Sequence, residues 1–176
     1  MKLLLILFSL VFVQGCFGEK DGKFDYNERL VVDGELEPLH PVGGESDKTI
    51  EGIDINGNGV RDGLERLINR WFLSSNKRNA AKQIAKYKTL VLLTVKDKEK
   101  NIEYMHKVND SRNCLRSFKL TYEEEQTSLN LHNLVVNNKV RKVLSKLADM
   151  NFGGQVTAIS SPSINGRRFC EFKIAE

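Results

Sequence analysis

Apolar residues return at helical spacing in one stretch after another of this chain, and that period limits its fold more than any other feature of the sequence. Leu64, Leu67, Ile68, Trp71 and Phe72 fall at i, i+3, i+4, i+7 and i+8, one stripe that predicts a helix ending near Ser74-Ser75. A second helix is predicted from about Lys77 to Lys96, with Ile84, Tyr87, Val91 and Val95 on one face and Ala80, Ala81 and Ala85 beside them. Ile102, Met105, Val108, Leu115 and Phe118 predict a third, from Lys98 or Lys100 to Phe118, weakened in the middle by Asn109-Asp110-Ser111. Thr121-Tyr122-Glu123-Glu124 reads as a capping box. It opens a fourth helical region to about Met150, with Val136, Val140, Val143, Leu144 and Leu147 inward and Gly153-Gly154 at its end. The period then changes: Cys170, Phe172 and Ile174 alternate with Glu171 and Lys173, Gln155 to Ile159 reads as extended, and Pro162 to Gly166 as a turn. The expected fold is mainly α, a small domain of about four helices over residues 51–176 with a short C-terminal β-hairpin.

The N-terminus belongs to a different kind of segment. MKLLLILFSLVFVQGC has a basic start, an apolar run from Leu3 to Val13 broken by Ser9, and small Gly15 before Cys16. A bilayer-spanning helix needs about 20 apolar residues, so the run fits a cleaved export signal over residues 1–15. Val13, Gly15 and Cys16 in VQGC resemble the lipobox of bacterial lipoproteins, although Gln14 is larger than the residue usual there. The resemblance implies acylation of Cys16, palmitate included, and a membrane anchor in the cell envelope. Phe17 stands where Asp would favour inner-membrane retention, which implies an outer-membrane location facing the periplasm or the cell surface. The alternative is an ordinary secretory signal cut after Gly15.

Export also bears on the other two cysteines. With Cys16 acylated, Cys114 and Cys170 remain, and in an oxidising compartment they can pair without remainder. Such a bridge would add roughly 4 kcal/mol by the chain-entropy account; the alternative is two buried thiols. The formal net charge of +4 is a mild excess. It argues weakly for anionic lipid or an envelope polymer or protein as partner, and against nucleic acid.

Residues 16–50 mix charges with Gly and Pro and show no sustained period. Behind an anchor they read as a flexible tether with a reach of about 30 Å. The competing reading docks Leu30-Val31-Val32 and Ile50 on the domain as short extended pieces.

Just before the first helix stands DINGNGVRDGLE, residues 54–65, which matches D-x-[DN]-x-[DN]-G-x5-E at every required position. This is the spacing by which an EF-hand loop gives Ca²⁺ its hard oxygen ligands. Asp54, Asn56 and Asn58 would supply side-chain oxygens, Val60 its backbone carbonyl, Asp62 a direct or water-mediated contact, and Glu65 both carboxylate oxygens. Gly59 would allow the left-handed turn around the ion. Arg61 stands where paired loops carry an aliphatic residue, and no amphipathic helix precedes Asp54, so the expectation is a half EF-hand without a sister loop. Its two Asn ligands place the expected affinity toward the weak range, about 10⁻⁴ to 10⁻³ M. The plainer reading is a turn with Asp62 capping the helix.

The wider stretch PVGGESDKTIEGIDINGNGVRDGLERLINRWF is similar to a pattern in exported bacterial proteins and lipoproteins without an assigned activity, in which a Gly-rich lead and a GID start precede NGVRD and a helix. Gly63 departs from it where an acid often follows RD. The resemblance implies calcium binding and export, and names no task.

Catalytic groupings are not legible. His40, His106 and His132 are dispersed, Ser160, Ser161 and Ser163 lack a G-x-S-x-G frame, and Glu123-Glu124-Glu125 sits where a helix start favours acids. Lys77, Arg78, Lys82, Lys86 and Lys88, with Arg141, Lys142 and Lys146, read as basic helix faces. The expectation is a monomeric, calcium-binding envelope lipoprotein, a non-catalytic binding or structural module anchored through Cys16. Two alternatives stay open: an inhibitor or immunity-type lipoprotein that meets a secreted protein, and an envelope hydrolase whose cluster only the fold assembles.

Overall fold

The computed structural model describes residues 28–41, 44–153 and 164–175. Its helices are α1 (Asp62–Trp71), α2 (Ser75–Leu93), α3 (Lys98–Arg116), α4 (Tyr122–Val135) and α5 (Lys139–Phe152), so the fold is mainly α. The signal segment, Cys16, and residues 155–159 with Pro162 lie outside the described residues.

α2 and α3 pack most extensively on each other, and α1, α4 and α5 lie against them. One core cluster takes Leu64, Ile68 and Phe72 from α1, Ala80, Ala81, Ile84 and Ala85 from α2, and Leu115, Leu131 and Val135 from α3 and α4. The alanines of α2 let its neighbours approach closely, and each fully buried Ile, Leu or Phe contributes roughly 1.5–3 kcal/mol. Tyr87, Val91, Val108 and Ala148 form a second cluster further along α2. Trp71, expected in the first stripe, lies at the core's edge and is exposed.

The predicted fourth helical region is two helices. Asn137 and Asn138 break it, because the Asn138 side chain accepts a hydrogen bond from Arg141 N at 2.9 Å and starts α5 afresh as its N-cap. The break rotates the phase of α5 relative to α4. Val140, Val143 and Leu147, expected inward, are exposed, whereas Arg141 and Ala148 are buried. The Arg141 guanidinium donates to the carbonyls of Ser46, Thr49 and Ile50 and to Asp47 Oδ1, which fastens residues 46–50 to α5.

Among the described residues the one β-hairpin lies ahead of the helices, while one strand of the expected C-terminal hairpin falls outside them. β1 (Val31–Val32) pairs antiparallel with β2 (Glu35–Leu36) across Asp33 and Gly34, both at positive φ, the geometry that an Asp-Gly turn supplies. The described C-terminal residues form a 3-10 helix, Ile164–Phe169, and then an unpaired extended tail. Gly166 holds that helix so close to α3 that a Cβ there would lie 2.5 Å from Asn113 O. A disulfide between Cys114 and Cys170, Cα–Cα 5.1 Å, fixes the same place, and these two ties leave the tail no strand partner among the described residues.

Residues 28–41 dock on α1. The Glu37 carboxylate, 2 % exposed, accepts from Leu30 N, Asn69 Nδ2 and Arg70 Nη1, at 3.2, 3.1 and 2.8 Å. Arg66, fully buried, donates to Pro38 O and Glu28 O. The fastening of residues 28–41 thus runs through Glu28, Glu37 and Pro38, while Val31 is exposed.

Candidate metal centre

Residues 54–65 close into a loop whose ends are joined by Asp62 N donating to Ile53 O at 2.7 Å. Gly57 and Gly59 take φ of 68° and 83°, turning the chain back on itself. Gly59 is needed twice over, because a Cβ there would also meet Lys86 Cγ at 3.0 Å. The Asp54 carboxylate then faces the loop's own amides, accepting from Gly59 N at 2.7 Å and Asn58 N at 3.2 Å. Asn56 Oδ1 accepts from Asn58 N, and Asn58 Oδ1 from Val60 N.

α1 brings the two remaining carboxylates to the loop from its first turn. Asp62 is not the N-cap: that position is Arg61, and Asp62 Oδ1 accepts from Ile55 N at 3.1 Å instead. Asp62 Oδ2 is buried and has no hydrogen-bond partner among the described residues. Burial raises the Asp62 carboxyl above its ordinary value, and the charges of Asp54 and Glu65 push the same way, against the pull of the Ile55 amide. One turn later, Glu65 Oε2 accepts from Asn56 Nδ2 and Asn58 Nδ2 at 3.1 and 2.9 Å, and Glu65 Oε1 pairs with Lys82 Nζ at 2.7 Å. The predicted side-chain ligands Asp54, Asn56, Asn58, Asp62 and Glu65 thus belong to one hydrogen-bonded loop. Val60 stands beside them with its side chain buried in the core.

Two features of the neighbourhood are not legible in the loop itself. Lys82 comes from α2, and with Asn79, Gln83, Lys86, Glu171 and Phe172 it walls a cleft of about 400 Å³ beside Asn56, Asn58 and Glu65. Arg61, the residue out of place for a paired loop, points away from the site and donates to the carbonyls of Leu134 and Val135 at the end of α4. It serves there as a C-terminal cap. Burial and the nearby Arg141 lower its pKa to about 10.

Among the described residues no three His, Cys, Asp or Glu side chains, those of Asp54, Asp62 and Glu65 included, are grouped as metal ligands. The other candidates separate: His132 contacts Lys88, and His106 lies edge-on to Phe152. Half of the residues of the expected basic faces are in ion pairs: Lys77 with Glu124, Arg78 with Asp33, Lys82 with Glu65, Arg141 with Asp47. Among the described residues no helix is long and apolar enough to cross a membrane. Compared with known proteins, the chain matches no family model, no curated protein and no solved structure.

Proposed function

We propose that residues 54–65 hold a calcium ion, in an exported, lipid-anchored protein that works as a non-catalytic binding or structural module of the bacterial envelope. The observation that carries the metal is Asp62 Oδ2, a buried carboxylate oxygen with no partner among the described residues, on a side chain whose ionised form Asp54 and Glu65 already disfavour. An unpaired buried carboxylate costs several kcal/mol, and a divalent cation offsets that cost.

Asp54, Asn56, Asn58, Asp62 and Glu65 would hold the ion, with the Val60 carbonyl. Every donor is a hard oxygen, as Ca²⁺ requires, and three carboxylates give −3 against +2. Glu65 would exchange the Lys82 ammonium and the Asn56 and Asn58 amide groups for the metal, and the two amides would turn their oxygens to it. The chain's own contribution is a prefolded loop, with Gly57 and Gly59 already turned and α1 already presenting Asp62 and Glu65. The export signal and VQGC at Cys16 support the anchor.

The test is a calorimetric titration of Ca²⁺ into the protein and into its Glu65→Gln and Asp54→Ala, Glu65→Ala variants, with thermal unfolding of each. The expected result is binding by the parent at submillimolar to millimolar Ca²⁺ with a raised melting temperature, and neither effect in the variants. No heat and no shift in the parent at several millimolar Ca²⁺ would leave the loop a turn and a helix start. Replacing Cys16 with Ser should move the protein from the membrane to the soluble fraction; an unchanged membrane share would remove the anchor.

A further inference from the structure

Beyond the loop, at the far side of α2, lies a cavity of about 350 Å³ enclosed by α2, α3, α4 and α5. Three of these helices send a basic side chain into it: Lys88 from α2, Arg112 from α3 and His132 from α4. α5 sends Asp149, the one acid in the lining. Lys88 Nζ lies 3.0 Å from His132 Nδ1, within hydrogen-bond distance, and Arg112 Nη1 donates to Asn109 Oδ1 at 3.2 Å. Among the described residues neither Lys88 nor Arg112 forms an ion pair with a carboxylate.

That sets Lys88 apart from the molecule's other inward-facing cations, while Arg112 and Asp149 are exposed and stand at the cavity rim. Arg141 has Asp47 and several carbonyls, Arg78 has Asp33, Arg66 has Pro38 O and Glu28 O, and Arg61 has the end of α4. Burial, reinforced by Arg112, lowers Lys88 to about 7. Burial lowers His132 as well, with Lys88 and Arg112 adding to the effect. Asp149 opposes the shift at Lys88 and His132 without cancelling it. The charge of Lys88 is therefore costly in this cavity, and Arg112 at the rim adds to that cost.

The rest of the wall is apolar: Val91, Leu92, Met105, Val108, Val136 and Phe152. A free inorganic anion would satisfy the cations and leave that wall uncovered. An anion with a hydrocarbon body satisfies both, and the volume has room for about a dozen atoms of water size. We propose that this cavity binds a medium-chain amphipathic carboxylate, its head between Lys88 and Arg112 and its chain against Val91, Met105, Val108 and Phe152.

The probe is octanoate, titrated at pH 7 into the full chain with its disulfide intact, beside 1-octanol, octylamine and inorganic phosphate. Octanoate is expected to bind about tenfold tighter than octanol, a ratio that needs only one charge-assisted contact. Octylamine and phosphate are expected to bind more weakly still. Arg112→Gln and Lys88→Gln should each weaken octanoate about tenfold, and Asp149→Asn should tighten it severalfold. Octanoate binding no tighter than octanol overturns the proposal, as does phosphate binding as tightly as octanoate. If Lys88→Gln does not fold, Arg112→Gln and the octanoate-to-octanol ratio of the parent decide the matter. Unchanged octanoate affinity in a folded Arg112→Gln protein also overturns it.

Discussion

Lys82 Nζ stands 2.7 Å from Glu65 Oε1, so an ammonium from α2 occupies the carboxylate that completes the calcium-loop pattern. Glu65 is almost fully buried and the Lys82 side chain mostly so, which makes the pair more than a surface contact. A metal entering the loop would compete with this internal cation.

Replacing Lys82 with Gln should therefore raise calcium affinity, by about fivefold for a contact of roughly 1 kcal/mol. The same change should lower the melting temperature in chelator, because it leaves Glu65 short of a counter-charge. Calorimetry in Ca²⁺ and melting in chelator read the two effects separately. Equal calcium affinity in parent and variant would show that Lys82 is no competitor.

Glu37 is where the segment before the domain is fastened. Glu37→Gln keeps the shape but removes the charge that faces Arg70, which retains the carbonyls of Arg66 and Glu28, so the expected cost is about 1–3 kcal/mol. Hydrogen exchange should speed up over residues 28–38 and α1 before it does so in α3. Uniform exchange across the molecule would show that the segment is not a separate unit.

Arg61 caps α4 from another element. Arg61→Leu, which gives the loop the aliphatic residue of paired EF-hands, should cost about 1–3 kcal/mol by orphaning the carbonyls of Leu134 and Val135. Calcium affinity should stay nearly unchanged, since the side chain points away from the loop. A urea titration and a calcium titration on the same variant separate the two.

Lys88 carries a pH signature. Its pKa falls from 10.5 unfolded to about 7 folded, so between these values the unfolded chain binds more protons and stability rises with pH. Below pH 7 the buried ammonium costs stability in full, because desolvation outweighs the opposed charges of Arg112 and Asp149 around it and His132 is itself lowered. Lys88→Met should accordingly stabilise most near pH 6, by about 3 kcal/mol once solvent at the cavity mouth is allowed for, with the gain shrinking toward pH 10. A gain that is flat across this range would mean that Lys88 titrates normally.

Much of this architecture is legible in the sequence because it is local. The stripe from Leu64 to Phe72, the alanines of α2 and the Thr121 capping box each depend on a few adjacent residues, and each forms the expected element. The loop's turn is legible for the same reason, since Gly57 and Gly59 announce left-handed backbone. Asn137-Asn138 is a local signal hidden by the apolar pattern around it: an Asn pair there offers an N-cap, and carrying one helix through it puts Val140 and Val143 on the wrong face. Asp33-Gly34 between Val31-Val32 and Glu35-Leu36 is another. What no local rule reveals is which distant charge a buried group finds. Lys82 at Glu65, Arg61 at Leu134, and Lys88 with Arg112 around one cavity depend on how helices far apart in sequence cross.

The Cys114–Cys170 bridge also gives the candidate metal site a history. Residues 54–65 and α1 emerge from synthesis long before Glu171 and Phe172, yet those two late residues form part of the cleft wall, held by the neighbouring disulfide. The loop can turn early, but its surroundings are finished last, and only where thiols are oxidised. A chain whose thiols stay reduced would carry the same loop residues beside a wall that no covalent bond ties to α3.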